Sequence, residues 1–145
     1  MSVKRRRRIK LGDVYAIPLP DGKFGFGRRF MDASIAIYKH IGEIIEDVPL
    51  NEEYQFTVGI YDYVLKSDEW PIIANRPFEN EEAAWPPPAC IVDQLNGSFS
   101  IYHKGEISPS NKAECEGLEI AAVWGAEHIV DRIMGDDKWH KHPGV

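Results

Sequence analysis

The chain is poor in the residues that build metal cages and covalent staples. It has two cysteines in 145 residues. Cys90 and Cys115 stand alone, with no Cys-x-x-Cys spacing and no ligand cluster beside either. In a chain without a secretory signal, such cysteines read as reduced thiols buried as small hydrophobes. Long apolar runs are missing too, since none approaches the ~20 residues of a membrane span. The opening MSVKRRRRIK is charged and has no apolar segment after it, which argues against an export signal and for a cytoplasmic protein. The body shows no internal repeat and no linker.

A catalytic constellation is also absent. His140 and His142 form a His-x-His pair in a polar tail, without the third ligand a stable metal site wants. His128 falls one helical turn from Asp131, where an ion pair is the default, and no serine motif accompanies it. His40 and His103 end strands without a local partner. Gly25-Phe26-Gly27 lies inside a strand, so its amides are not gathered at a helix N-terminus as phosphate binding requires. The chain therefore reads as non-enzymatic, with no metal and no cofactor. A small hydrolase would have to assemble its site from residues far apart in sequence.

What is present is enough apolar material for a core: 43% hydrophobic residues, four Trp, six Tyr and six Phe. The length suits one domain over residues 11–135, between a flexible basic tail at 1–10 and a flexible tail at 136–145. Charge is unevenly spread. Of 17 basic residues, six (Lys4, Arg5, Arg6, Arg7, Arg8, Lys10) lie in the first ten positions, leaving eleven against 23 acids and a body near −12. Such a body repels a nucleic-acid backbone and speeds the approach of a basic partner.

The pattern along the chain is mostly β. Residues 13–19 are rich in β-branched and aromatic types, Pro20-Asp21-Gly22-Lys23 is a turn, and residues 24–30 alternate with period two. Together they predict a hairpin. Pro18 places its position at an edge or bulge, and the glycines beside Phe26 suit a tightly curled sheet. SIAIYK (34–39) and YQFTVGIYDYVL (54–65) are further strands. ENEEAAWPPP (79–88) is an extended loop, because its triple proline forbids a helix. Residues 89–93 and 98–103 pair across Asn96-Gly97, Lys104-Gly105 forms the next turn, and Asn111 with Glu114 resembles a capping box. Residues 118–124 lean to strand. Residues 126–134 place Ile129, Val130, Ile133 and Met134 on one helical face. The expected fold is mostly β (α+β), a curled antiparallel sheet or small β-barrel with a C-terminal helix across it.

Trp70 and Trp124 sit among apolar residues and read as core. Trp85 sits on a proline-rich loop among acids and could anchor a partner. The acids bunch on two loops: Glu43, Glu46, Asp47, Glu52 and Glu53, then Glu79, Glu81 and Glu82. These, with Trp85, are the candidate partner-binding residues.

Four blocks, GDVYAIPLPDGKFGFGR (12–28), EWPIIANRPF (69–78), PPPACIVDQLNGSFSIYHKGEI (86–107) and AECEGLEIAAVWGAEHIVDRI (113–133), together resemble the immunity protein 26 family of bacterial polymorphic toxin systems. Gly125-Ala126 departs from the acid-then-Pro that the family more often shows there. The resemblance implies a protein that binds and neutralises a cognate toxin, basic and often a nuclease, inside the producing cell. Nucleic acid and membrane are not expected partners. The competing reading is a nucleic-acid-binding barrel module that uses the arginine run.

Overall fold

The computed structural model describes residues 8–136 and 138. Lys4 and the first three residues of the arginine run (Arg5, Arg6 and Arg7), and His140 and His142, lie outside them. The first hairpin pairs β1 (Asp13–Pro18) with β2 (Phe24–Phe30) in antiparallel register, Val14 opposite Arg28 and Pro18 opposite Phe24. Its turn works as the residue types require. Gly22 takes φ +86°, Lys23 N–H donates to Asp21 Oδ1 at 3.0 Å, and Leu19 N–H closes on Lys23 O at 2.9 Å.

β3 (Ser34–Tyr38) and β4 (Tyr54–Ile60) extend this hairpin, followed by α1 (Asp62–Lys66) and β5 (Ile72–Asn75). A second set comprises β6 (Ala89–Val92), β7 (Phe99–His103), β8 (Glu106–Ser110), α2 (Lys112–Cys115), β9 (Glu119–Ile120), β10 (Val123–Trp124) and α3 (Ala126–Ile133). Two sheets result, one ordered β10-β4-β3-β2-β1-β5 and one ordered β8-β7-β6-β9. Neither closes into a barrel. The end strands β5 and β10 contribute only a few residues each and lie on opposite edges of the large sheet, so they never meet. Both sheets are mixed, since β10 runs parallel to β4 and β9 parallel to β6. Pro18 does lie at a local edge: β5 covers only Asp13 to Tyr15 of β1.

The large sheet is covered on both sides. One face carries Tyr15, Ile17, Ile35, Ile37, Phe56, Val58 and Ile60, packed with Val64 and Leu65 of α1, Trp70, Trp124 and Ile129 of α3. Ile129 is fully buried, which contributes about 1.5–3 kcal/mol. The other face carries Val14, Ala16, Phe26 and Tyr38 under Ile45, Val48 and Tyr54. A bulge lets β4 serve both: Ile37 pairs with Phe56 but Tyr38 with Tyr54, so Gln55 is the extra residue and Tyr54 leaves the face of Phe56. Gly27 makes room rather than curvature. A Cβ there would come within 2.5 Å of Ile35 Cδ1.

The predicted strand over 54–65 ends at Ile60. Tyr61 N–H donates to Trp124 O at 3.2 Å and the chain turns into α1. The adjacent residues Val64 and Leu65 are both buried in the same core, which a helix achieves and a strand cannot. Residues 118–124 become two two-residue strands in different sheets and so tie the sheets together.

In the small sheet, the β6–β7 link places Gly97 at φ +70°, and Lys104-Gly105 takes φ +54° and +80°, the backbone of a type I′ hairpin. In such a hairpin His103 and Glu106 exchange hydrogen bonds, and the bonded pairs then alternate to Ile101–Ser108 and Phe99–Ser110. Pro109, opposite Ser100, falls between them, and its nitrogen faces the outer edge. Cys90 and Cys115 are buried as predicted, but they are not free thiols. They form a disulfide, with Cα atoms 5.5 Å apart and a separation of 25 positions in sequence. The β7–β8 hairpin folds α2 back across β7, so that Cys115 reaches Cys90 of β6, a contact no local spacing signals.

Candidate functional site

β2 places Arg28 on the same face as Phe24 and Phe26, so a cation points into an apolar layer. Its side chain is only 9% exposed, and every donor it owns is used. Nε donates to Arg76 O at 3.0 Å, and Nη2 donates to Arg76 O at 2.6 Å and Pro77 O at 2.9 Å. Nη1 donates to Tyr54 Oη at 3.1 Å and meets Glu52 Oε1 at 3.1 Å. The guanidinium carbon lies 3.7 Å from the centroid of the Phe78 ring. Arg76 holds the other oxygen of Glu52 at 3.0 Å and donates through Nη2 to Pro49 O at 2.6 Å. Tyr38 donates to Glu52 Oε1 at 2.9 Å. Burial, then this bond to a carboxylate, pushes the Tyr38 phenol well above its ordinary 10.

Glu52 is thus the centre of an internal network rather than a free surface acid. Three more predicted acids are also engaged. Glu43 lies 3.6 Å from Lys23 Nζ. Asp47 accepts the Glu43 N–H at 3.1 Å through Oδ2 and sits 3.2 Å from His40 Nε2 through Oδ1. Glu82 pairs with Lys104, which draws its carboxyl below the usual range. Glu46, Glu53, Glu79 and Glu81 are exposed and have no ion pair among the described residues.

The network draws the two predicted loops together. Glu52, Glu79 and half-buried Trp85 line one cleft of about 550 Å³ floored by Arg28 and Phe78. Glu46, Asp47 and Glu53 line an adjoining groove of about 530 Å³, whose rim includes Leu50. Leu50 is 90% exposed and Ile44 58%. Glu43, Glu81 and Glu82 line neither.

Sequence reasoning missed Arg28, Arg76, Tyr38, Tyr54 and Phe78. One signal was available: an arginine in phase with Phe24, Phe26 and Phe30 must find partners or unfold the strand. Trp70 and Trp124 are core residues, 3% and 6% exposed. His128 accepts the Gly125 N–H at 3.1 Å through Nδ1 and so satisfies a donor at the start of α3. Among the described residues no group of three or more His, Cys, Asp or Glu could hold a metal ion. No described helix is long and apolar enough to cross a membrane.

With every donor of Arg28 satisfied, the cleft floor offers no open group for a small anion. It presents instead carboxylates, an indole and the exposed leucine of the neighbouring groove, a surface for a macromolecule. No curated protein and no solved structure matches the chain. The family model described as Immunity protein 26 matches residues 10–101, from ahead of β1 into β7. That span contains all of these acids and Trp85, and the chain belongs to the Immunity protein 26 family, whose members neutralise a cognate toxin.

Proposed function

We propose that the chain neutralises its toxin by stoichiometric binding, without catalysis, and that the toxin is a basic protein, a nuclease. The docking face is the pair of clefts between the 42–53 and 79–85 loops. The observation that carries this reading is the set of three exposed acids that line these clefts without a cationic partner among the described residues, Glu46, Glu53 and Glu79, beside Trp85 and Leu50, with Glu81 exposed nearby on the 79–85 loop. Asp47 and Glu52 shape that face, Glu43 and Glu82 lie outside the clefts, and none of the four is a principal contact, because each already has a partner. Unsatisfied carboxylates around an aromatic anchor suit a surface of lysines and arginines that evolved to grip phosphates.

The test is calorimetric titration of the chain against the toxin encoded beside it, with toxin activity read in parallel. One-to-one binding that abolishes activity is expected, and Glu46→Lys with Glu79→Lys should weaken it at least tenfold. Unchanged affinity in that double variant would place the toxin on another face.

A further inference from the structure

Between residues 85 and 122 only two side chains are buried, Cys90 and Cys115. Both apolar clusters among the described residues belong to the large sheet, so among them the small sheet has no hydrophobic core of its own. Its middle strands are only partly covered: every residue of β7, and all of β6 except Cys90, keeps some exposure. A unit of this size without a core depends on a covalent staple. Its junction with the large sheet is an open, mostly apolar groove crossed by a few polar contacts. Arg132 bridges to Glu119, Lys104 to Glu82 and Tyr102 to Asp32, around a groove of about 360 Å³ lined by Pro86, Pro87 and Ala122.

We propose that the Cys90–Cys115 disulfide is a redox latch, whose reduction releases the small sheet while the large sheet stays folded. The bond joins the second residue of β6 to the last of α2 and closes a loop holding the whole β7–β8 hairpin. A dithiol opens it by exchange. Two electrons and two protons pass to the cysteine sulfurs as two thiols form, and the dithiol closes to its own disulfide. Release also loosens the Trp85–Pro88 segment, which runs directly into β6, and removes Lys104 from Glu82. The latch would then govern the toxin-binding face, and this second step alone rests on the proposed function.

The test is hydrogen exchange followed by mass spectrometry on the full chain, refolded in a glutathione redox buffer and compared with and without dithiothreitol. Alkylation before reduction should find no free thiol; two free thiols would overturn the proposal outright. Reduction should speed exchange of β6, β7 and β9 amides at least tenfold and leave β1 to β4 unchanged. Cys90→Ala with Cys115→Ala should exchange like the reduced protein and ignore dithiothreitol. Equal exchange in both states, or loss of protection throughout the chain, would refute a local latch. In the same two states, toxin affinity should fall at least tenfold on reduction. Intact affinity beside a released small sheet would overturn the link to the toxin face and leave the latch standing.

Discussion

Glu52 meets Arg28 at 3.1 Å, an exposed-loop carboxylate holding a guanidinium that is 9% exposed. The loop acid is therefore part of the packing of the sheet beneath it. Replacing it leaves Arg28 and Arg76 short of an acceptor in a place with little water. Glu52→Gln should lower stability by about 1–3 kcal/mol, while Glu81→Gln should stay within about 0.5 kcal/mol. Urea denaturation of the two variants side by side checks this, and equal midpoints would show that the network contributes nothing.

Tyr38 gives a pH dependence with a definite sign. Its folded phenol is held above the ordinary value, by burial first and then by the bond to Glu52, so the folded state keeps a proton that the unfolded chain releases near pH 10. That stabilisation is fully present below about pH 10 and is lost as the pH rises from there through the folded value. Wild-type stability should fall more steeply between about pH 9.5 and 11 than that of Tyr38→Phe. Parallel slopes in the two proteins would remove Tyr38 as the cause.

The acids without partners should act on encounter, and the indole on residence. Glu46→Lys or Glu81→Lys should slow association with the toxin several-fold at low salt, with the difference shrinking as the Debye length falls from about 30 Å at 0.01 M to about 8 Å at 0.15 M. Trp85→Ala should instead raise the dissociation rate, by about 2 kcal/mol or more if it is a central anchor. Surface plasmon resonance across a salt series separates the two effects. A salt-independent association rate would contradict the charge assignment.

Pro109 guards an open edge. β8 is the outer strand of its sheet, and beside it Ile107 is 64% exposed. With the proline nitrogen facing outward, an incoming strand finds no donor there. Pro109→Val should restore that N–H and promote self-association, seen as a rise in apparent mass by light scattering above about 100 µM, a range in which exposed strand edges pair. A variant that stays at the wild-type mass would assign the protection to something else.

What the sequence discloses follows the reach of its interactions. The turns at Asp21-Gly22, Asn96-Gly97 and Lys104-Gly105 act within four residues, and each forms where its residue types require. The Asn111 cap on Glu114 N–H, 2.9 Å, is equally local. The stretch 54–65 reads as one strand because Val64 keeps the alternation through Asp62; only Leu65, apolar on the wrong parity, betrays the helix. Long-range partners leave no such trace. Arg28 finds its carbonyls 48 and 49 positions away, and Cys90 finds Cys115 across a whole hairpin. The same holds for the acids: whether Glu43 or Glu82 is free depends on lysines brought from distant turns, Lys23 and Lys104.

The large sheet is closed by residues that come late in the chain. Trp124 and Ile129 seal the face of β3 and β4, and both lie beyond residue 101, where the family match ends. During synthesis the acidic loops and five of the six strands of the sheet that bears them are therefore made before this cover exists. At about 5–20 residues per second, the interval between residue 101 and residue 133 is roughly 2–6 s. For those seconds a nascent antidote has its binding loops in hand and one apolar face open to water.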